Sequence, residues 1–461
     1  MLRSVYEVIS EDVLTSSKLE GEIVSSYKTR GLIDVAIVKN EKGFFYAVRE
    51  PRYEIADVEG ALNKLLADIE LRRVEPRIRE LLSNTEISLD EYLYFKIASG
   101  FGPITPLVLD ENLEEIAASA SDGIVRVIHT GYVDVGWLQT NIFLGPAALR
   151  RLVLSLARKC GKHISYQRPI AEGVVHGFAR ISLSYGSVVT PTGSSFVLRK
   201  KTGVPGTATS LIKEGVLTSI EASYLWRILD EKGWIIIAGG VGSGKTTLLQ
   251  ALLTLIHPGR RVVTIEDVPE ITGTTGVWDP LVEKTDISNE RLVVDSYVLL
   301  KFALRRRPDY VVIGEVRGVE ARLLVQASRL GHGVLTTIHA DSEESVITRL
   351  TSPPISIPRN LLDNIWAIVM ITGERGQRRV TSISEISTGL RVEKICGDGD
   401  ACGIDTILAR SRRLSSASPP HILRRDLSRR ALFLEKLVKE GVYEIPRLRD
   451  ALLGFYREKQ V

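Results

Sequence analysis

Cysteine is scarce: Cys160, Cys396 and Cys402 are the three in 461 residues. None forms a C-x-x-C pair, so their spacing supports neither a zinc ribbon nor a disulfide framework. That usage fits a reducing, cytoplasmic setting. Long apolar runs are also missing. The best stretch, Leu361 to Thr372, contains Asp363 and Asn364 and falls short of the ~18 residues of a membrane span. Any membrane role is therefore expected to pass through a partner. The opening, Met1 to Glu7, carries an acid where a signal peptide needs a basic start and an apolar core. Charge of one sign is not in excess either. A formal net charge of +4 is too small at this length to argue for nucleic acid. No internal repeat or low-complexity tail is present. What remains is ordinary globular composition, long enough for about three domains.

In chain order, residues 1 to about 90 read as an α+β accessory region. Short apolar runs, Leu32 to Val38 and Phe44 to Val48, predict strands. Leu62, Leu65, Leu66 and Ile69 follow at helical spacing, and Pro76 is expected to break or offset that helix. Residues 91–203 read as a smaller N-terminal α+β domain. It has strands at Ile124 to His129, Ala179 to Leu183 and Ser195 to Leu198, and an amphipathic helix from Arg150 to Cys160. Gly203 to Gly206, with Pro205, is a linker candidate. Residues 204–461 then alternate strand, turn and helix, a βαβ rhythm that predicts a mostly parallel sheet. The strands fall at 234–238, 261–265, 310–313 and 334–338. Gly397 to Asp400 reads as an exposed loop. The tail from about 420 is helical.

The most informative stretch is Gly239-Gly240-Val241-Gly242-Ser243-Gly244-Lys245-Thr246, followed by Thr247. It has the form G-x-x-x-x-G-K-[ST], between a predicted strand and a predicted helix, which is the context a phosphate-binding loop needs. Glycines let backbone N–H groups turn toward phosphate oxygens, and the helix N-terminus adds partial positive charge. Lys245 can reach β- and γ-phosphates, and the Thr246 hydroxyl can ligate Mg2+.

Three more clusters end predicted strands at the same sheet edge, where ligands of open α/β sheets bind. Glu266-Asp267-Val268-Pro269-Glu270 offers carboxylates to orient water or hold a metal's water shell; a helix N-cap would favour the same acids. Tyr310 to Ile313 leads into Gly314-Glu315, with Glu315 on the metal side of a nucleotide. The run Arg305 to Arg307 before it suits a helix C-terminus or an intersubunit face. Gly333 to Ile338 leads to His339, which can sense a γ-phosphate or serve a structural role. Asp341 reads as the N-cap of the next helix, with Glu344 completing a capping box.

These clusters stand here as GGVGSGKT, IEDVPE, VVIGEVRG and GHGVLTTIHA. In that order they resemble the Walker A, Asp box, Walker B and His box of the secretion ATPase superfamily: the ATPases of type II secretion, type IV pili, archaella and type IV secretion. GFGPITPLVLDENLEEI, RPIAEG, FARISLSYGSVVTPTGSSFVLRKK and the tail resemble its archaeal-type branch. Coverage is about residues 90–461. The resemblance implies a RecA-like P-loop ATPase domain preceded by a PAS-like sheet domain. It implies that Lys245 and Thr246 bind nucleotide with Gly239, Gly242, Ser243, Gly244 and Thr247. Glu266, Asp267 and Glu270 match the Asp-box acids, with Glu270 polarising water. Glu315 matches the Walker B acid, His339 the His-box histidine, and Arg180 and Arg199 the N-terminal-domain arginines that reach the nucleotide. Implied cofactors are ATP and Mg2+. Implied partners are further copies in a hexameric ring and an integral-membrane platform protein, at the inner face of the cell membrane. Ala171-Glu172 departs from the family, where Asp often follows R-P-I, and Cys396 to Cys402 matches no element of it.

The expected function is an ATP-hydrolysing motor of secretion or of pilus- or archaellum-like assembly. The alternative is a RecA-like nucleic-acid translocase or DNA-transfer ATPase, against which the near-neutral charge and the Asp- and His-box pattern argue.

Overall fold

The computed structural model describes residues 21–200, 206–284, 293–374, 377–387, 389–397 and 402–457, with the backbone of 14–15. The linker candidate, apart from Gly206, and the loop Asp398 to Asp400 lie outside these residues. The chain divides into two compact units, Met1–Gly203 and Val204–Val461.

The first unit is built on a ten-stranded sheet. Its strands are β1 (Leu14–Thr15), β2 (Glu22–Thr29), β3 (Ile33–Asn40), β4 (Gly43–Arg49), β5 (Leu113–Ser119), β6 (Ile124–His129), β7 (Leu138–Phe143), β8 (Ile170–Val175), β9 (Ala179–Ser184) and β10 (Ser195–Lys200). The order is β2-β3-β4-β7-β6-β5-β10-β9-β8, with β1 beside β7. The sequence separates residues 1–90 from 91–203, but the structure joins both stretches in this one sheet through β4 and β7. Buried Asp110 reinforces the join by accepting hydrogen bonds from the Tyr27 and Tyr46 hydroxyls, each at 2.6 Å. The helix Pro146–Lys159 buries Leu149, Leu152, Val153 and Leu156, the spacing of a single apolar stripe.

Pro76 does not break a helix. The interruption falls at Leu71 to Arg73, between helices Ile55–Glu70 and Val74–Ser83, where Arg72 takes φ +54°. Pro76 sits in the first turn of the second helix. A proline is tolerated there because first-turn N–H groups have no helical acceptor.

The second unit has an eight-stranded sheet of β11 (Trp234–Gly239), β12 (Arg261–Glu266), β13 (Val277–Val282), β14 (Tyr310–Ile313), β15 (Gly333–His339), β16 (Ile365–Glu374), β17 (Gln377–Ser387) and β18 (Arg391–Gly397). The order is β13-β12-β14-β15-β11-β16-β17-β18. The first six run parallel, and β17 and β18 return antiparallel. Every residue of β11 is buried. Ile235 and Ile237 face one core, while Trp234, Ile236 and Ala238 face the other. Helices on both faces explain why this strand reads as a continuous apolar run.

The arginine run closes a helix: Arg305 caps the C-terminus of Ser296–Leu304, where cations offset the helix dipole. The tail forms two helices, Pro420–Lys439 and Ile445–Arg457. Cys396 and Cys402 are disulfide-bonded, a correction to the sequence expectation. Spacing rules for cysteine recognise metal and redox motifs, and a separation of six positions matches neither. Among the described residues, no helix is long and apolar enough to cross a membrane.

Candidate functional site

Parallel strands ordered side by side bring their C-terminal ends to one edge. There β11 delivers Gly239, β12 ends at Glu266, β14 leads to Glu315, and β15 ends at His339. Four segments separated by up to a hundred positions thereby converge.

The glycine-rich loop connects β11 to the helix Lys245–Leu253. Gly244 precedes the helix at φ +95°, a conformation that side chains disfavour. At Gly239 the constraint is space: a Cβ would lie 2.3 Å from the Ile371 carbonyl oxygen and 2.5 Å from Ser243 Oγ. Ser243 Oγ donates to the Gly240 carbonyl at 3.0 Å. Thr246 and Thr247 lie half-buried in the first helical turn, near the exposed N–H groups of that helix end.

Lys245 is buried. Its ammonium donates to the carbonyls of Gly239 (3.0 Å) and Gly240 (2.5 Å) and to His339 Nδ1 (3.1 Å). Burial lowers its pKa, opposed by the charge of Glu315. An ammonium can only donate, so Nδ1 accepts and the ring proton sits on Nε2. Nε2 faces Glu315 Oε1 at 3.5 Å. Burial first, and then the charge of Lys245, lower the pKa of His339, which keeps the imidazole neutral.

Glu315 has its pKa lowered. Burial alone would raise it, but the hydrogen bond and charge of Arg317, then His339 and Lys245, outweigh that. Arg317 Nη2 donates to Glu315 Oε2 at 2.7 Å, and Nη1 lies 3.5 Å from Asp267 Oδ2. Buried Glu320 holds the same turn by accepting the Arg317 and Gly318 N–H groups, each at 2.7 Å. A cavity of about 250 Å³ opens beside these groups, lined by Asp267, Glu283, Glu315 and Arg317 among others.

Glu266 is buried, and its Oε1 accepts from the Glu270 and Ile271 N–H groups at 2.9 Å each. No helix follows; the chain runs through a loop into β13. The helix-cap alternative is thus replaced by a carboxylate that folds its own loop. Glu270 is exposed, and among the described residues its carboxylate makes no hydrogen bond or ion pair. Asp341 is not the helix cap. Ser342 caps Glu343–Thr351 by accepting from Ser345 N, while Asp341 accepts from the Ser345 hydroxyl. The acid next to be assigned, Glu344, forms no capping box; its neighbour Glu343 reaches Ser382 and Ser384 at 2.6 and 2.9 Å.

Arg180 and Arg199 belong to the first unit. They are register partners on β9 and β10, so their side chains share one face. Arg180 lies 3.6 Å from Glu172 and Arg199 3.8 Å from Glu115. Both side chains are exposed. Sequence reasoning left Arg317 and Glu320 without roles. The available signal was an opposite charge two residues beyond Glu315 and an acid opening the next helix.

The protein family described as type II/IV secretion system protein matches residues 177–380. An uncharacterized protein of Methanocaldococcus jannaschii is 32% identical over 391 residues, 80% of this chain and 70% of its own. Type IV secretion system protein PtlH of Bordetella pertussis is 30% identical over 275 residues, 51% of this chain and 80% of its own. The solved structure of the Legionella pneumophila ATPase DotB aligns at 18% identity and a TM-score of 0.44, over 75% of this chain and 92% of its own. An α/β unit with a glycine-rich loop at the carboxyl edge of a parallel sheet is thus matched to a known family. The chain belongs to the type II/IV secretion system protein family.

Proposed function

We propose that the chain is an ATP-hydrolysing motor of a type II/type IV secretion system, or of type IV pilus- or archaellum-like assembly, of the archaeal-type branch. The second unit is its RecA-like P-loop domain. The observation that carries this reading is the chain of contacts from Lys245 through His339 to Glu315, within 3.1 and 3.5 Å, beside the glycine-rich loop.

ATP enters with its β- and γ-phosphates along the loop N–H groups. Phosphate oxygens then compete with the Gly239 and Gly240 carbonyls for Lys245, because an anion is the stronger acceptor. His339, losing its contact with Lys245, reports whether a γ-phosphate is present. Thr246 and Glu315 are the residues that would hold Mg2+: a hydroxyl and a carboxylate kept ionised match the hard oxygen donors this ion takes. When bound, the ion neutralises charge on the β- and γ-phosphate oxygens. Glu270 polarises the attacking water, and Glu266 fixes the loop that carries it. Arg180 and Arg199 offset charge developing on the transferring phosphoryl group. Hydrolysis in a hexameric ring moves the first unit against the second, and a membrane platform protein at the cytoplasmic face takes up that motion.

Lys245→Ala should reduce ATP turnover by at least about a hundredfold, the scale of losing one preorganised charge-stabilising group. A steady-state phosphate-release assay measures it, and near-normal turnover would remove the loop from the mechanism.

A further inference from the structure

The edge described so far lies on one side of β11, toward β15 and β14. On its other side β16 and β17 form an antiparallel pair whose end packs directly against the glycine-rich loop. A Cβ at Gly373 would stand 3.3 Å from Ser243 Cα and 3.4 Å from the Gly242 carbonyl oxygen. Arg378 pairs with Gly373 across the two strands. Its stem lies on Gly244: a Cβ there would meet Arg378 Cδ at 2.8 Å and Nε at 3.3 Å. The guanidinium is thereby carried to the start of the helix Lys245–Leu253. Arg378 is exposed, and among the described residues its guanidinium makes no ion pair or hydrogen bond.

This brings a cation to an anion-binding end of the fold. The helix start is partially positive, and Lys245 adds a full charge beside it. Nothing among the described residues offsets Arg378. An anion seated on the loop N–H groups would do so, and a guanidinium is suited to two phosphate oxygens at once. The side of approach also matters. The γ-phosphate groups, Glu315 and His339, stand on the β14/β15 flank, whereas Arg378 arrives from the β16/β17 flank.

Resting on the reading of the loop as a nucleotide site, we infer that Arg378 is a binding residue for the α/β end of a nucleoside polyphosphate. It reaches the phosphates from the flank opposite the hydrolytic groups. A contact to the α/β end is made by ATP and ADP alike. Arg378 therefore sets affinity for both nucleotides and does not distinguish them, in contrast to the groups that read the γ-phosphate.

The test is isothermal titration calorimetry of the full-length chain with ATP and with ADP, for wild type, Arg378→Gln and Arg378→Lys. Arg378→Gln should weaken both nucleotides by a similar factor of roughly ten to a hundred, the range of one charge-assisted hydrogen bond. Arg378→Lys should recover part of that loss, since it keeps the charge but not the fork. Melting of the ligand-free variants should match wild type, because the side chain is exposed and unpaired. Loss for ATP alone would make Arg378 a γ-phosphate group and overturn the inference. No loss for either nucleotide would overturn it too. A wild-type chain that binds neither would instead bring down the nucleotide-site reading itself.

Discussion

At the scale of single residues, the site is a set of charges that hold one another in place. His339 accepts a hydrogen bond from the Lys245 ammonium, and burial together with that charge holds its pKa below the ordinary histidine value of about 6.5. The sign of the pH effect follows. Below about pH 6.5 an unfolded histidine takes up a proton that the folded one refuses, so the unfolded state binds more protons and stability falls with acid. This histidine's contribution is present above pH 6.5 and is lost as pH falls through its lower folded value. Glu315, also lowered, adds the same sign below the ordinary carboxylate value of about 4.5. Melting of wild type should therefore decline as pH falls below about 6.5, and His339→Gln should flatten that decline. An identical slope in the variant would show that His339 is not held neutral. Lys245, His339 and Glu315 were legible in the sequence because each ends a strand or opens a helix within a dense motif. Arg317 and Arg378 were not. Their significance depends on which side chain lies across a turn or a neighbouring strand, and no spacing rule encodes that.

Secondary-structure elements explain both the successes and the misses. Strands β11, β12, β14 and β15 were readable because burial on both faces leaves short, buried runs rich in β-branched residues, broken at most by threonine after the first position. Caps are harder, since adjacent polar residues compete for the same N–H groups. Asp341 and Ser342 are both good cap residues by type. The backbone decides: Ser342 is extended at φ −151° and bonds Ser345 N. Ser342→Ala should cost about 1 kcal/mol of local stability. Asp341→Ala should cost clearly less than Ser342→Ala, because its side chain bonds only the Ser345 hydroxyl. Hydrogen exchange of the amides in Glu343–Thr351 measures both, and the reverse ranking would put the cap back on Asp341. Pro76 accompanies an offset between two helices and does not break either one. A proline marks a boundary but not which side of it the helix lies on, and here it opens a helix instead of ending one.

Whole-molecule organisation was legible in the second unit, whose strand–helix rhythm predicts a parallel sheet, and much less so in the first. Non-local strand pairing carries no sequence period, so nothing in residues 1–90 announces that β4 pairs with β7. That pairing makes the opening stretch part of the unit rather than an appendage. A chain beginning at residue 91 would lose β1 and β4 from the side of β7 away from β6, and the two tyrosine hydroxyls on Asp110 Oδ2. Each hydrogen bond to a charged group contributes about 1.5–3 kcal/mol, and only the Asn112 contacts to Asp110 Oδ1 would remain. The truncated chain should thus melt lower or aggregate; melting at the full-length temperature would show that 1–90 is dispensable.

The motor reading is tested most directly by ATPase activity of the purified chain across protein concentration, with and without single-stranded DNA. Specific activity should rise with concentration and level off as rings fill, with no response to DNA. Strong stimulation by DNA at a fixed oligomeric state would contradict it and install a nucleic-acid translocase in its place.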